Sequence, residues 1–262
     1  MNITIIGGGN LGTAIAEGLI LSGYCLPEQL AVTRRNVKAL HNLEAKGVTI
    51  TSDNHAAVKD AEVVILAVKP YNYKDILGDL KSSLDGERHI LVSVVTGAWI
   101  EQLSSVVAKK IPIIRAMPNT AISIRQSMTC LAFADATSGQ VNMVSDIFDR
   151  LGRTTIIDEK LMDAATVLGA CGTAYAMRYI RANIQGGIEI GFDVKTASLI
   201  AAQTVLGAAE LLLTTGSHPE AEIDKVTTPR GCTIAGLNEM EHQGFSSSLI
   251  KGISTSYEMI QK

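Results

Sequence analysis

Residues 3 to 12 read ITIIGGGNLG, four glycines within six positions directly behind an apolar run. Ile3, Ile5 and Ile6 read as a buried β-strand, and Leu11, Ile15 and Leu19 recur at helical spacing immediately after the glycines. The order strand, tight turn, helix is therefore set within the first twenty residues. Gly7, Gly9 and Gly12 match G-x-G-x-x-G. In that pattern the first glycine makes the turn, the second lets the backbone approach a pyrophosphate, and the third allows close helix–strand packing. The helix start then offers free amides and the positive end of its dipole to phosphate. The bland alternative is a flexible turn, but the placement between a strand and an amphipathic helix favours dinucleotide binding.

The rest of the chain extends that unit. Strand-like runs at 30–33, 48–51, 63–67, 90–95, 113–116, 128–133 and 154–157 alternate with helical patterns at 36–45, 71–81, 99–108 and 138–150. This alternation predicts an α/β fold with a Rossmann-like doubly wound sheet. After Asp158 the strand signal stops. Asp193 is a candidate N-cap, Gly191 and Gly216 are candidate C-terminal stops, and Pro219 suits a first helical turn. The expected division is a dinucleotide-binding domain over 1–158 and an all-helical dimerisation and substrate-binding domain over 159–262. So apolar a helical region is expected to bury a large face against a second subunit.

Composition excludes several classes. The net charge of the 262 residues is −3, which gives no reason to expect a nucleic-acid partner. Cys25, Cys130, Cys171 and Cys232 lie far apart without a C-x-x-C pair, and the five histidines are scattered, so neither a disulfide framework nor a metal site is expected. The apolar stretch 197–213 approaches membrane length but holds Gln203 and Glu210, and reads as core or subunit interface rather than a membrane span. With no basic and apolar leader ahead of the first strand, a cytoplasmic protein is expected.

The end of the second strand, LAVTRRN, speaks to which dinucleotide. An NAD-preferring site puts Asp or Glu there to bind the ribose 2′-hydroxyl, about 20 residues past the glycines. This chain has Thr33, Arg34 and Arg35. A carboxylate would repel a 2′-phosphate, whereas guanidinium groups bind it through charge-assisted hydrogen bonds. NADPH is the expected cofactor, with NADH weaker. Further candidates lie at strand ends: Lys69 and Pro70 after VVILAV, and Met117, Pro118, Asn119 and Thr120 after IIRA. Taken singly, Lys69 reads more often as a solvated surface lysine and Asn119 as a turn former. In VTTPRGCTIAGL a loop ends at Gly231 and a helix opens near Thr233, where free amides could bind a carboxylate or the threonine could simply cap the helix.

Together these segments resemble the pyrroline-5-carboxylate reductase family over essentially the whole chain. The resemblance rests on GGGNLG, on Asn54 fifteen residues before the Lys69 of AVKP, on RAMPNT at 115–120, GACGTAY at 169–175 and TPRGCTIAGLNEME at 228–241. The chain departs where the family commonly has PNTP, SGSGPAY and SPGGTT: Ala121 stands for a proline, GACGTAY replaces SGSGPAY, and Arg230 stands for a glycine.

The resemblance implies NAD(P)H-dependent reduction of a cyclic imino acid to L-proline. It implies that Gly7, Gly9, Asn10 and Leu11 hold the pyrophosphate, and that Arg34, Arg35 and Asn54 hold the adenosine ribose with its 2′-phosphate. Ala67, Lys69, Pro70 and Asn119 would flank the nicotinamide. Gly231, Cys232 and Thr233 would hold the substrate, with Thr233 reaching the ring nitrogen as the one catalytic side chain. It also implies a homodimer that shares helices, with decamers in some members. Two other readings compete. A β-hydroxyacid dehydrogenase needs a lysine early in the helical domain, and none occurs between Lys160 and Lys195. A sensor that binds NADPH without turnover would have a degraded substrate loop, whereas Gly231 and Thr233 are kept.

Overall fold

Ile3–Ile6 (β1), Val63–Leu66 (β4) and Ile90–Ser93 (β5) are buried along their whole length, as expected of central parallel strands covered on both faces. A computed structural model describes residues 1–261. With Leu30–Thr33 (β2), Thr49–Thr51 (β3), Ile113–Met117 (β6), Ser127–Ala134 (β7) and Gly152–Ile156 (β8), they form one sheet in the order β3-β2-β1-β4-β5-β6-β7-β8. Every pairing is parallel except that of β6 with β7. The edges are guarded: β3 has three residues, and β8 is polar and largely exposed.

Side-chain alternation builds a core on each face of the sheet. Ile5, Val63 and Ile65 pack with Ile15 and Leu19 of α1 (Asn10–Leu21) and with Val144 and Phe148 of α6 (Ser138–Asp149). Val64, Leu66 and Leu91 face the other way, against Leu77 and Leu80 of α4 (Tyr73–Leu80) and Leu103 and Val107 of α5 (Ile100–Val107). The 36–45 pattern is not one helix. It forms a 3-10 turn over Val37–Leu40 followed by the single turn α2 (His41–Glu44), and a further short helix, α3 (Asn54–Val58), follows β3. Arg115 on β6 is 2% exposed; it donates from Nη1 to Glu159 Oε1 at 2.9 Å and lies 5.2 Å from the centroid of the Trp99 ring.

The chain divides into two compact units, Met1–Ala170 and Cys171 onward. Residues 159–170 belong to the sheet-bearing unit: Glu159 also accepts from the Ile100 amide, and Met162 of α7 (Met162–Ala165) is buried with Met117 and Ala132. A π-helical turn, Thr166–Cys171, leads into the second unit.

That unit is helical throughout: α8 (Gly172–Glu189), α9 (Val194–Thr215), α10 (Pro219–Lys225), α11 (Cys232–His242) and α12 (Phe245–Ile260). Asp193 caps α9 by accepting from the amides of Lys195 and Thr196, Gly216 closes it in the left-handed conformation, and Pro219 opens α10. α8 approaches α9 closely where Gly187 meets Ala197, and reaches α12 through Tyr175–Ser256 and the Tyr179–Phe245 ring pair. By length and composition α9 could cross a membrane, yet it is not a core helix of its own chain: only Ala197 and Ala201 are buried. Leu199, Leu206 and Leu213, seven residues apart, are 70%, 59% and 56% exposed and form one apolar stripe. Of the two expectations for this stretch, the core within one chain is thereby excluded.

Candidate dinucleotide site

The strand order reverses between β1 and β4, and in open α/β sheets the crevice beyond the carboxyl ends of the strands at such a point is where ligands bind. A cavity of about 750 Å³ lies there. It gathers Gly7, Gly9, Asn10 and Leu11 behind β1, Arg34 and Arg35 behind β2, Asn54 at the start of α3, and Ala67, Lys69 and Pro70 behind β4. Four chain segments that are distant in sequence thus meet at one place.

The three glycines of the motif differ in their surroundings. Gly7 sits at φ +109°, and a Cβ there would lie 2.5 Å from the Ala67 carbonyl oxygen, so both turn and packing demand glycine. A Cβ on Gly12 would collide with the Gly7 carbonyl oxygen, because α1 is pressed onto the turn. A Cβ on Gly9 would meet nothing within 4 Å. Gly9 is also the N-cap of α1 and makes no side-chain cap, so the first amides of the helix keep their donor capacity. An anionic group fits such a place.

The amides of Gly7 and Gly8 both donate to the Thr33 carbonyl, at 3.1 and 2.7 Å, which fastens the turn to the end of β2. Arg34 reinforces the same junction, donating from Nη1 to the Gly8 carbonyl at 2.8 Å, while Arg35 stands exposed beside it. Lys69 precedes Pro70 in extended conformation, and Pro70 opens a 3-10 turn. Sequence reasoning missed Ser52, Val94 and Thr96 in the lining, which lie behind β3 and β5. The strand-end rule that picked out Arg34 and Lys69 would have found them.

Asn119 is not in this lining. Its Oδ1 accepts from the Ala121 amide at 3.0 Å and its Nδ2 donates to the Gly169 carbonyl at 3.1 Å, so the amide group is committed to shaping the chain between β6 and the π-helical turn. A proline at 121, as in PNTP, could not donate this bond.

In the helical unit, Gly231 is the N-cap of α11, Cys232 the first helical residue and Thr233 the second, both exposed. Thr233 is therefore not the cap, which removes the bland reading of that residue. A Cβ on Gly231 would lie 2.5 Å from Thr228 Oγ1, so this glycine is required by close approach. Arg230 adopts φ +60°, a left-handed conformation in which its side chain is strained and glycine would not be.

Residues 159–262 match the model of pyrroline-5-carboxylate reductase dimerisation, and residues 2–97 match that of NADP oxidoreductase, coenzyme F420-dependent. Pyrroline-5-carboxylate reductase 1 of Dictyostelium discoideum is 48% identical over 97% of this chain, which spans 48% of that protein's own length. Pyrroline-5-carboxylate reductase 2 of the same organism is 42% identical over 100% of this chain and 92% of its own. Among solved structures, a pyrroline-5-carboxylate reductase from Coxiella burnetii superposes with a TM-score of 0.93 at 31% identity, covering 99% of this chain and 97% of that one. Identity and superposition along the whole chain agree, and the chain belongs to the pyrroline-5-carboxylate reductases.

Proposed function

We propose that the protein reduces 1-pyrroline-5-carboxylate to L-proline with NADPH as the hydride donor. The observation that carries the reading is the cavity at the strand reversal, in which the open Gly9, the uncapped start of α1 and the Arg34–Arg35 pair converge. The free amides of Asn10 and Leu11 hold the pyrophosphate, and Gly7 and Gly9 let it approach the backbone closely. Arg34, Arg35 and Asn54 hold the adenosine ribose and its 2′-phosphate, with NADH bound more weakly for want of that phosphate. Ala67, Lys69 and Pro70 flank the nicotinamide. Asn119 lies outside the lining of this cavity, with its amide group bonded to Ala121 and Gly169. NADPH, when bound, supplies a hydride to the carbon of the protonated imine.

Substrate recognition falls to Gly231, Cys232 and Thr233. Free amides at the start of α11 hold the carboxylate of the imino acid, and the Thr233 hydroxyl accepts from the protonated ring nitrogen, fixing the imine carbon for attack. The iminium is electrophilic already, so the protein contributes positioning and electrostatics rather than a strong acid. A functional division at 158/159 suits this assignment. The stripe on α9 is covered by a second copy of the chain in a homodimer, which can assemble further into a decamer. Four free cysteines accord with a reducing compartment, and we place the enzyme in the cytoplasm. Steady-state oxidation of NADPH with pyrroline-5-carboxylate, against its six-membered homologue, tests the reading: turnover with the five-membered ring supports it, and no turnover with either refutes it.

A further inference from the structure

A second cavity, of about 370 Å³, lies among α3, α4 and the turn that follows α4, and is lined by His55, Lys59, Ser83, Asp85, Arg88 and His89. None of these six residues lines the larger cavity. Ser83 Oγ and His55 Nδ1 are 2.7 Å apart, and His55 Nε2 and Asp79 Oδ2 are 3.0 Å apart. In the neutral tautomer whose Nε2–H donates to the Asp79 carboxylate, Nδ1 keeps a lone pair for the serine O–H. Nucleophile, base and orienting carboxylate stand in line, brought from the start of α3, the last turn of α4 and the turn behind it.

The other imidazole in this cavity serves the fold instead. His89 accepts from the Asp85 amide at Nδ1, donates from Nε2 to the Val58 carbonyl, and is held neutral by a burial that lowers its pKa. Arg88 is fixed by donating from Nη1 to the Lys59 carbonyl at 2.7 Å, and the side chains of Lys59 and Arg88 give the cavity cationic charge that can meet a developing oxyanion.

We propose that Ser83, His55 and Asp79 form a second, hydrolytic site that acts on small activated carboxylic esters. Ser83 Oγ bonds to the ester carbonyl carbon while its proton passes to His55 Nδ1. The bond from that carbon to the alkoxy oxygen breaks, and the alkoxide leaves with the proton from His55. Water, deprotonated by the same nitrogen, then attacks the acyl-serine. It releases the carboxylic acid and restores the serine hydroxyl, so no oxidant or reductant is consumed. Asp79 keeps the imidazole in the tautomer that both steps need.

The test uses the full chain with a fluorophosphonate probe, which loses fluoride on attack by an activated serine, followed by peptide mapping, and with p-nitrophenyl acetate. One adduct on Ser83 is expected. Hydrolysis should fall by about a hundredfold in Ser83→Ala and in His55→Ala, the lower end of what general-base catalysis contributes. Ser83→Ala should keep the wild-type melting temperature and NADPH binding, which separates loss of this site from loss of fold. Absence of a Ser83 adduct in the folded wild type, or hydrolysis by Ser83→Ala at the wild-type rate, overturns the proposal.

Discussion

Arg34 Nη1 donates to the Gly8 carbonyl oxygen at 2.8 Å, so the guanidinium at the end of β2 is fastened to the glycine turn at the end of β1. One side chain therefore links the part of the cavity suited to a pyrophosphate with the part suited to a ribose phosphate. Arg35 makes the second positive charge at the same rim. Charge-assisted hydrogen bonds are worth about 1.5–3 kcal/mol each. Arg35→Ala should accordingly raise the KM for NADPH by about tenfold to a hundredfold while the KM for NADH hardly moves. Arg34→Ala should raise both, because it also loosens the turn. Steady-state kinetics with both cofactors check this, and an unchanged NADPH preference in the double variant would remove the pair from the site.

The unlike surroundings of Gly9 and Gly12 predict unlike variants. Gly12→Ala forces α1 off the turn and should lower stability by about 1–3 kcal/mol, as overpacking does. Gly9→Ala places its methyl in open space, so its melting temperature should stay close to that of the wild type while NADPH affinity falls. Thermal melts and fluorescence titration with NADPH separate the two.

Arg115 is the largest fully buried side chain, its Nη2 has no partner among the described residues, and Glu159 carries its compensating charge. Removing one member of such a pair strands the other. Glu159→Gln should cost about 2–4 kcal/mol, reduced from the fully buried case because Glu159 is a quarter open to solvent. Arg115→Met with Glu159→Gln should recover much of the loss. Urea unfolding of the three variants provides the comparison.

Most of the sheet was legible in the sequence because its central strands are continuous apolar runs with few alternatives. α3 was not, since five residues are too few to show a helical period, and the 36–45 pattern concealed a change from 3-10 to α geometry. The cavity residues stood out where a motif ties side-chain chemistry to a strand end, as at Arg34 and Lys69. Asn119 shows the boundary of that logic. Its place after β6 is readable from the strand end, but the bond of its amide to Gly169 pairs residues fifty apart, which no local pattern encodes. The apolar run in α9 likewise says that something covers it, not what.

Leu199, Leu206 and Leu213 lie along one face of α9, and a second copy of the chain should cover it. Light scattering at micromolar concentration should give a dimer or larger assembly. Leu206→Arg, which places a charge mid-stripe, should shift it toward monomer and lower turnover. A stable wild-type monomer with full activity would contradict the assignment.

Thr233 lies one residue inside α11 and Gly231 caps it, so Thr233→Ala should leave the melting temperature nearly unchanged. Loss of a neutral hydrogen bond, about 0.5–1.5 kcal/mol, should lower kcat several-fold with NADPH affinity intact, and Thr233→Ser should restore most of it. A lowered melting temperature with normal turnover would withdraw the residue from the reaction.

The central claim is hydride transfer from NADPH to the imine carbon of pyrroline-5-carboxylate. Its most direct test is mass spectrometry of the product formed with NADPH deuterated at the transferring position of nicotinamide C4. L-proline one mass unit heavier, with the deuterium on the ring carbon that was the imine carbon, is the expected result. Unlabelled proline, or no proline from the folded enzyme, would contradict the account.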